Sequence, residues 1–188
     1  DDPDATYAFS AYAGKGYDGT DNNYYWGLRR YPYTTDMSRS PLTLADTDPG
    51  QLEIPAGIPV NPFLAPIAAN EVHNAGEIWC SALLECRALL WNNGLGFDAN
   101  ELMMQLVVDG MKLMPVSATY IDARDAILNA DMINNGGAHS ALLWAGFARR
   151  GLGVGAESPP FFSFSGIVED FETPTLASAG FPEGAPDQ

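Results

Sequence analysis

Two histidines occur in 188 residues, and one of them, His73, opens the densest group of reactive side chains in the chain. It lies in the run Asn70-Glu71-Val72-His73-Asn74-Ala75-Gly76-Glu77-Ile78-Trp79. Histidine is the side chain whose charge is most easily tuned near neutral pH. His73 and Glu77 are four apart and so share a helix face. Cys80, three further on, falls roughly on the same side. Imidazole, carboxylate and thiolate are the donors of a metal half-site. Spacing alone leaves three readings open: a metal half-site without an evident fourth ligand, a catalytic histidine that touches no metal, and a polar pair that starts a helix. His139 follows Gly136-Gly137-Ala138 and reads as structural. The glycines of Gly151-Leu152-Gly153-Val154-Gly155 follow a helix instead of joining a strand to one, so they cannot cradle a phosphate in the usual way. Two histidines also leave few ways to assemble a Ser-His-Asp triad.

The elements that must carry these residues divide the chain unevenly. Residues 1–66 are rich in Tyr, Gly, Asp, Asn and Pro and show little helical period. They read as an ordered but irregular third, packed on the helices through Tyr24, Tyr25, Trp26, Tyr31 and Tyr33. Within it, Thr6 to Tyr12 suits a helix or a strand, with the end of a helix favoured. Four helices follow. The first spans about Glu71 to Trp91, with Val72, Ala75, Ile78, Trp79, Ala82, Leu83, Cys86, Leu89 and Leu90 as a wide apolar stripe. Asn92-Asn93-Gly94 closes it. The second runs from Asp98 to about Leu113, with Asp98 and Glu101 as an Asp version of the capping box. The third runs from about Tyr120 to Ala130, and the fourth from about Ser140 to Arg150. Residues 166–171 have the pattern of one short strand. The fold class is therefore mainly α, a bundle of about four helices beneath an irregular N-terminal third.

Composition bounds the partners. Nine basic residues stand against 24 acidic ones, a net charge of −15. That argues against non-specific nucleic-acid binding, which rests on neutralising phosphates, and against anionic membrane surfaces. No apolar run reaches the roughly 18 residues of a membrane span. The N-terminal Asp1-Asp2-Pro3-Asp4 is not the start of a signal peptide, so secretion would require a targeting segment outside this sequence. Cys80 and Cys86 are six apart on one expected helix, about 9 Å along the axis. A disulfide needs less than roughly 7 Å, so both are expected as buried free thiols. The segment from Asp18 to Asn23 has residue types that suit calcium, but it fits no loop pattern well.

The run around His73 resembles the Val-His-x-x-Gly-Glu-Val-Trp segment of the fungalysin family of secreted zinc metallopeptidases. Gly27-Leu28-Arg29-Arg30-Tyr31-Pro32-Tyr33-Thr34-Thr35 resembles the same family's Gly-Ile-Arg-x-Tyr-x-Tyr-Ser-Thr. Leu106 to Pro115, Asp122 to Leu128 and Leu143 to Gly153 are similar to framework segments of that family. The resemblance runs from about residue 8 to 170. It implies a thermolysin-like C-terminal lobe of a catalytic domain over residues 1–170, with 171–188 as a flexible tail or linker.

The resemblance also implies roles. His73 matches a histidine that donates a hydrogen bond to the oxyanion formed during peptide attack. Arg29 matches an arginine that binds the substrate carbonyl beside the scissile bond; without the family, Arg29 or Arg30 would be read as pairing with an acid. In the more distant thermolysin family an aspartate five residues earlier orients the histidine. Ala68 stands at that place, and Glu71 is the substitute in this chain. Arg124 and Asp125 are expected as a structural ion pair. Val116 and Ala141 stand where some relatives have a cysteine pair. The chain contains no His-Glu-x-x-His, so the zinc is expected on an N-terminal lobe outside it. The implied partners are that lobe and a protein or peptide substrate, cleaved with an apolar preference after the scissile bond. The implied setting is extracellular. Alone, the chain is expected to be inactive. The alternative is a non-catalytic fragment that acts as a structural or self-associating subunit.

Overall fold

A computed structural model describes residues 2–14 and 23–175. Two short helices come first, α1 at Ala11–Gly14 and α2 at Asn23–Trp26, followed by a 3-10 turn at Leu44–Thr47. The longer helices are α3 at Val72–Leu90, α4 at Asp98–Leu113, α5 at Tyr120–Asn135 and α6 at Ser140–Ala148. Among the described residues the only β pairing is isolated bridges. The architecture is mainly α.

Two glycines set how closely the long helices approach. Gly146 of α6 lies against Cys86 of α3, and a Cβ built there would sit 2.6 Å from the Cys86 Cα. Gly110 of α4 meets Ile127 of α5, where a Cβ would lie 3.0 Å from that side chain. The core that results joins Ala82, Cys86 and Leu90 of α3 to Leu106, Ile127, Leu143 and Phe147. Phe147 stacks on Trp79 with centroids 5.9 Å apart. Gly76, by contrast, faces open space. Gly146→Ala is therefore expected to lower unfolding stability by about 1–3 kcal/mol through overpacking. Gly76→Ala is expected to raise it by about 0.5–1 kcal/mol through helix propensity. Urea midpoints of the two variants check the pair, and equal shifts would refute the packing argument.

Several local readings are corrected. Tyr7 and Phe9 are extended, not the end of a helix: Tyr7 pairs with Tyr33 and Phe9 with Gly27. Asp98 lies inside α4, whose N-cap is Phe97 with no side-chain cap bond. Backbone carbonyls of Gly96 and Phe97 instead accept from the amides of Ala99 and Asn100. The capping box belongs to α5, where Thr119 and Asp122 bond reciprocally. That helix runs past Ala130 to Asn135, where left-handed Gly136 closes it. α6 ends two residues early because Gly151 has φ +80° and the Leu152 amide returns to the Phe147 carbonyl. Residues 166–171 form bridges only, Val168 to Glu157 and Asp170 to Leu152. Both cysteines are free, but Cys80 is exposed and only Cys86 is buried. The 120° that separates them around a helix turns Cys80 away from the core. Residues 18–22 of the calcium-type segment, and 176–188 of the expected tail, lie outside the described residues.

Buried charge ties the irregular N-terminal residues to the helices. The Arg150 guanidinium, fully buried, donates from Nε to Glu85 at 2.9 Å. It also donates to the carbonyls of Ser40, Leu42 and Thr34. Arg124 pairs with Asp125 at 2.7 Å and reaches the carbonyls of Leu152 and Gly153. It stacks its guanidinium 4.6 Å from the Trp144 ring centre.

Candidate functional site

Glu71 begins the site because it does two things at once. As N-cap of α3 it holds extended backbone, and its carboxylate accepts from the His73 amide at 2.9 Å and the Asn74 amide at 3.4 Å. Those amides are donors that a helix start leaves without intrahelical partners. The other oxygen of the same carboxylate lies 2.8 Å from His73 Nδ1. The hydrogen bonds from His73 hold the Glu71 carboxyl below the usual glutamate range. The imidazole itself is exposed. With Nδ1 turned to a carboxylate, Nε2 is the nitrogen left facing outward.

The loop before the helix is pinned from within it. Asn74, buried, donates from Nδ2 to the carbonyls of Ile67 and Ala68. The carbonyl of Ala68 is thus tied to Asn74, while its methyl side chain offers His73 no hydrogen bond. A cleft of about 850 Å³ opens beside this turn. His73, Glu71 and Arg29 line it together, with Phe9, Leu28, Phe63, Leu64 and Ile67 supplying apolar wall.

Arg29 is half-buried on that wall. Its Nε donates to the Tyr33 hydroxyl at 2.8 Å and its Nη1 to the Leu28 carbonyl at 2.8 Å. Its guanidinium carbon lies 4.3 Å over the Phe9 ring. It makes no ion pair among the described residues. The neighbouring Arg30 makes the ion pair instead: fully buried, it donates to Glu77 Oε2 at 3.0 Å and to the Asn74 carbonyl at 3.0 Å. Glu77 Oε1 accepts from the Tyr31 amide at 2.8 Å. Burial pushes the Glu77 carboxyl up, and Arg30 opposes that push.

This geometry removes the metal half-site as a reading of His73, Glu77 and Cys80. No group of three or more His, Cys, Asp or Glu residues able to hold a metal occurs among the described residues. His73 and Glu77 do lie close in helical angle, but they sit at different depths. Glu77 is one turn further in, about 6 Å along the axis, where residues 30 and 31 cover it. His73 stands on the first turn, beyond that cover. His139 is structural: its Nδ1 lies 2.7 Å from buried Asp131, whose carboxylate also accepts the His139 amide.

Two residues that hold Arg29, Phe9 of the cleft wall and Tyr33 beside it, do not read as site residues in the sequence. Tyr33 reads as a packing residue, and outside a helix a spacing of four from Arg29 carries no signal of contact. Phe9 comes from 20 residues upstream and carries no local signal of contact with Arg29.

The Glu71 interaction has a defined pH sign. Its folded carboxyl titrates below the ordinary glutamate value. Its support of the helix start and of His73 is therefore complete above that ordinary value and is lost as pH falls through the lowered one. Glu71→Gln is expected to remove this acid-side loss of stability. Unfolding midpoints measured against pH on both proteins check it, and parallel profiles would refute it.

The profile of the fungalysin metallopeptidase family (M36) matches residues 4–156. Extracellular metalloproteinase 1 of Trichophyton equinum is 37% identical over 155 residues, covering 74% of this chain and 22% of that protein. Extracellular metalloproteinase 5 of Trichophyton rubrum is 36% identical over 155 residues, 74% of this chain and 21% of that protein. Extracellular metalloproteinase 4 of Arthroderma otae is 36% identical over 152 residues, 71% of this chain and 20% of that protein. The chain spans about a fifth of the length of the curated relatives it matches.

Proposed function

The chain belongs to the fungalysin metallopeptidase family, and from that premise we propose that it forms one wall of the substrate cleft of an extracellular zinc endopeptidase. The observation that carries this reading is one juxtaposition. An exposed imidazole, oriented by a carboxylate, lines the same cleft as an arginine with no anionic partner among the described residues.

The division of labour follows from the chemistry of each group. The Glu71 carboxylate accepts a hydrogen bond from His73 Nδ1; in the doubly protonated form that can serve as donor, the second N–H is on Nε2. That N–H donates to the oxyanion that forms on a peptide carbonyl under attack, where a fixed donor is worth more than it is to the ground-state carbonyl. Arg29 donates to the neighbouring substrate carbonyl through its fixed planar fork. Phe9, Leu28, Phe63, Leu64 and Ile67 favour an apolar substrate side chain. The described residues do not fit a zinc centre: Glu77 is committed to Arg30, and among them no group of three or more His, Cys, Asp or Glu could hold a metal. The zinc is assigned to a zinc-bearing N-terminal lobe as partner. Without that lobe the chain is proposed to be inactive.

Native material decides the matter. Zinc per polypeptide, intact mass and peptide hydrolysis are measured on the same preparation. Zinc and activity travelling with polypeptide that contains both these residues and a His-Glu-x-x-His segment is the expected result. Zinc-free, inert material containing only these residues would overturn the enzymatic reading.

A further inference from the structure

We propose that Phe9 and Tyr33 are positioning residues that clamp Arg29 so that one edge of its guanidinium is presented to the substrate; the proposal rests on the substrate-binding role given to Arg29 above. Arg29 is held on three sides. The Phe9 ring lies under its face at 4.3 Å, the Tyr33 hydroxyl accepts from Nε at 2.8 Å, and the Leu28 carbonyl accepts from Nη1 at 2.8 Å. Phe9 and Tyr33 brace each other edge to face, with centroids 6.3 Å apart. Of the five N–H groups on an arginine, these bonds use one on Nε and one on Nη1. Among the described residues nothing takes the two donors of the Nη2 edge.

The backbone is built to hold this arrangement. Tyr7 and Tyr33 exchange amide-to-carbonyl bonds of 2.8 Å in both directions, and the Leu28 amide donates to the Phe9 carbonyl at 2.8 Å. Between them Gly27 has φ +62°, and a Cβ there would fall 1.9 Å from the Phe9 carbonyl oxygen. Only glycine permits that approach. The extended segment at Tyr7 to Phe9 is thereby laced to residues 27–33, which places a ring from a distant part of the chain under Arg29. Burial raises the Tyr33 phenol above its ordinary range, so the hydroxyl stays neutral and its oxygen remains an acceptor for Nε. A long cationic side chain would otherwise sample many rotamers, and clamping one of them lowers the ordering cost of gripping a carbonyl.

The test uses the full-length peptidase and a peptide substrate extended past the scissile bond. Arg29→Ala is expected to reduce kcat/KM by about 50-fold, and Tyr33→Phe by about fivefold to tenfold, within the range for a typical single hydrogen bond. The Tyr33→Phe loss is expected mainly in KM. In the Arg29→Ala background the same Tyr33→Phe change should have no further effect, because nothing is left to position. Phe9→Leu should behave the same way. A merely structural role would persist in that background. Normal kinetics in Tyr33→Phe and Phe9→Leu, or losses that simply add to that of Arg29→Ala, would overturn the clamp while leaving the role of Arg29 intact. Normal kinetics in Arg29→Ala would overturn that role, and the clamp with it.

Discussion

His73→Ala in the full-length peptidase is expected to lower kcat by about 10²–10³ and to leave bound zinc at the wild-type stoichiometry. The magnitude is that of removing one fixed donor from an oxyanion site, about 2.7–4 kcal/mol of transition-state free energy. The zinc expectation follows from the position of the imidazole. Its Nδ1 is engaged by Glu71 at 2.8 Å, and no other metal-binding side chains gather around it among the described residues. Steady-state kinetics paired with metal analysis separates the two roles a histidine can play in such an enzyme. Loss of zinc in the variant would falsify the donor role and make His73 a ligand. An unchanged kcat would remove it from the chemistry altogether. Glu71→Gln provides an internal control: it keeps a side chain able to accept a hydrogen bond but removes the charge, so an intermediate loss in kcat, about tenfold, is expected with zinc again retained.

The second large effect concerns stability. Glu85→Ala is expected to destabilise the protein by about 3–5 kcal/mol, because it strands the Arg150 guanidinium in a buried site. Glu85 Oε1 lies 2.9 Å from Arg150 Nε and 2.8 Å from its Nη2, and Arg149 Nε lies 3.2 Å from the other carboxylate oxygen. The three backbone carbonyls around Arg150 satisfy donors but carry no net charge. Chemical denaturation followed by circular dichroism measures the loss. Replacing both partners with apolar residues, Glu85→Leu with Arg150→Met, is expected to recover most of it, since neither charge then needs to be desolvated. A double variant as weak as the single one would show that the carbonyl network, not the charge pair, holds this joint.

The same carboxyl gives a pH slope. Burial pushes Glu85 up, opposed by Arg150 and Arg149. A raised folded value means that ionising the buried carboxyl costs more than its pairing with Arg150 and Arg149 returns, so stability is greatest below the ordinary glutamate value and falls as pH rises through the raised one. Glu85→Gln should flatten that slope.

The helices were legible because their signals are local. α4 ends before Pro115 and α3 ends near Asn92-Asn93-Gly94, and both stops follow from residue types within a few positions. The family was legible for the same reason: the segments around Arg29 and His73 are contiguous, and each can be read without knowing where the rest of the chain goes. The pairing of Glu71 with His73 was within reach too, since both side chains belong to one helix start.

What periodicity leaves open is coverage. A spacing of four places His73 and Glu77 on one face, but only the packing of residues 30 and 31 decides that Glu77 is buried while His73 is exposed. The apolar stripe assigned to α3 is buried at Ala75, Ile78, Ala82, Cys86 and Leu90 but not at Val72, which is exposed, and the buried face also holds Asn74, Glu77, Ser81 and Glu85. Charged residues at stripe positions are ambiguous in a sequence, because their acceptability depends on cations 47 and 65 residues away, Arg30 and Arg150. The favoured reading of Thr6 to Tyr12 as the end of a helix failed at Tyr7 and Phe9, although Tyr12 lies in α1, for a related reason: the partners Gly27 and Tyr33 are remote, and a bridge of one or two residues leaves no period to detect. The sequence by itself determined the main helices and the family, both of which depend on neighbours along the chain. The tertiary structure alone decided which charges are buried in pairs, and that Arg29 rests on Phe9 and Tyr33. Those outcomes are set by contacts between distant segments, whose free energy appears only once the chain has closed on itself.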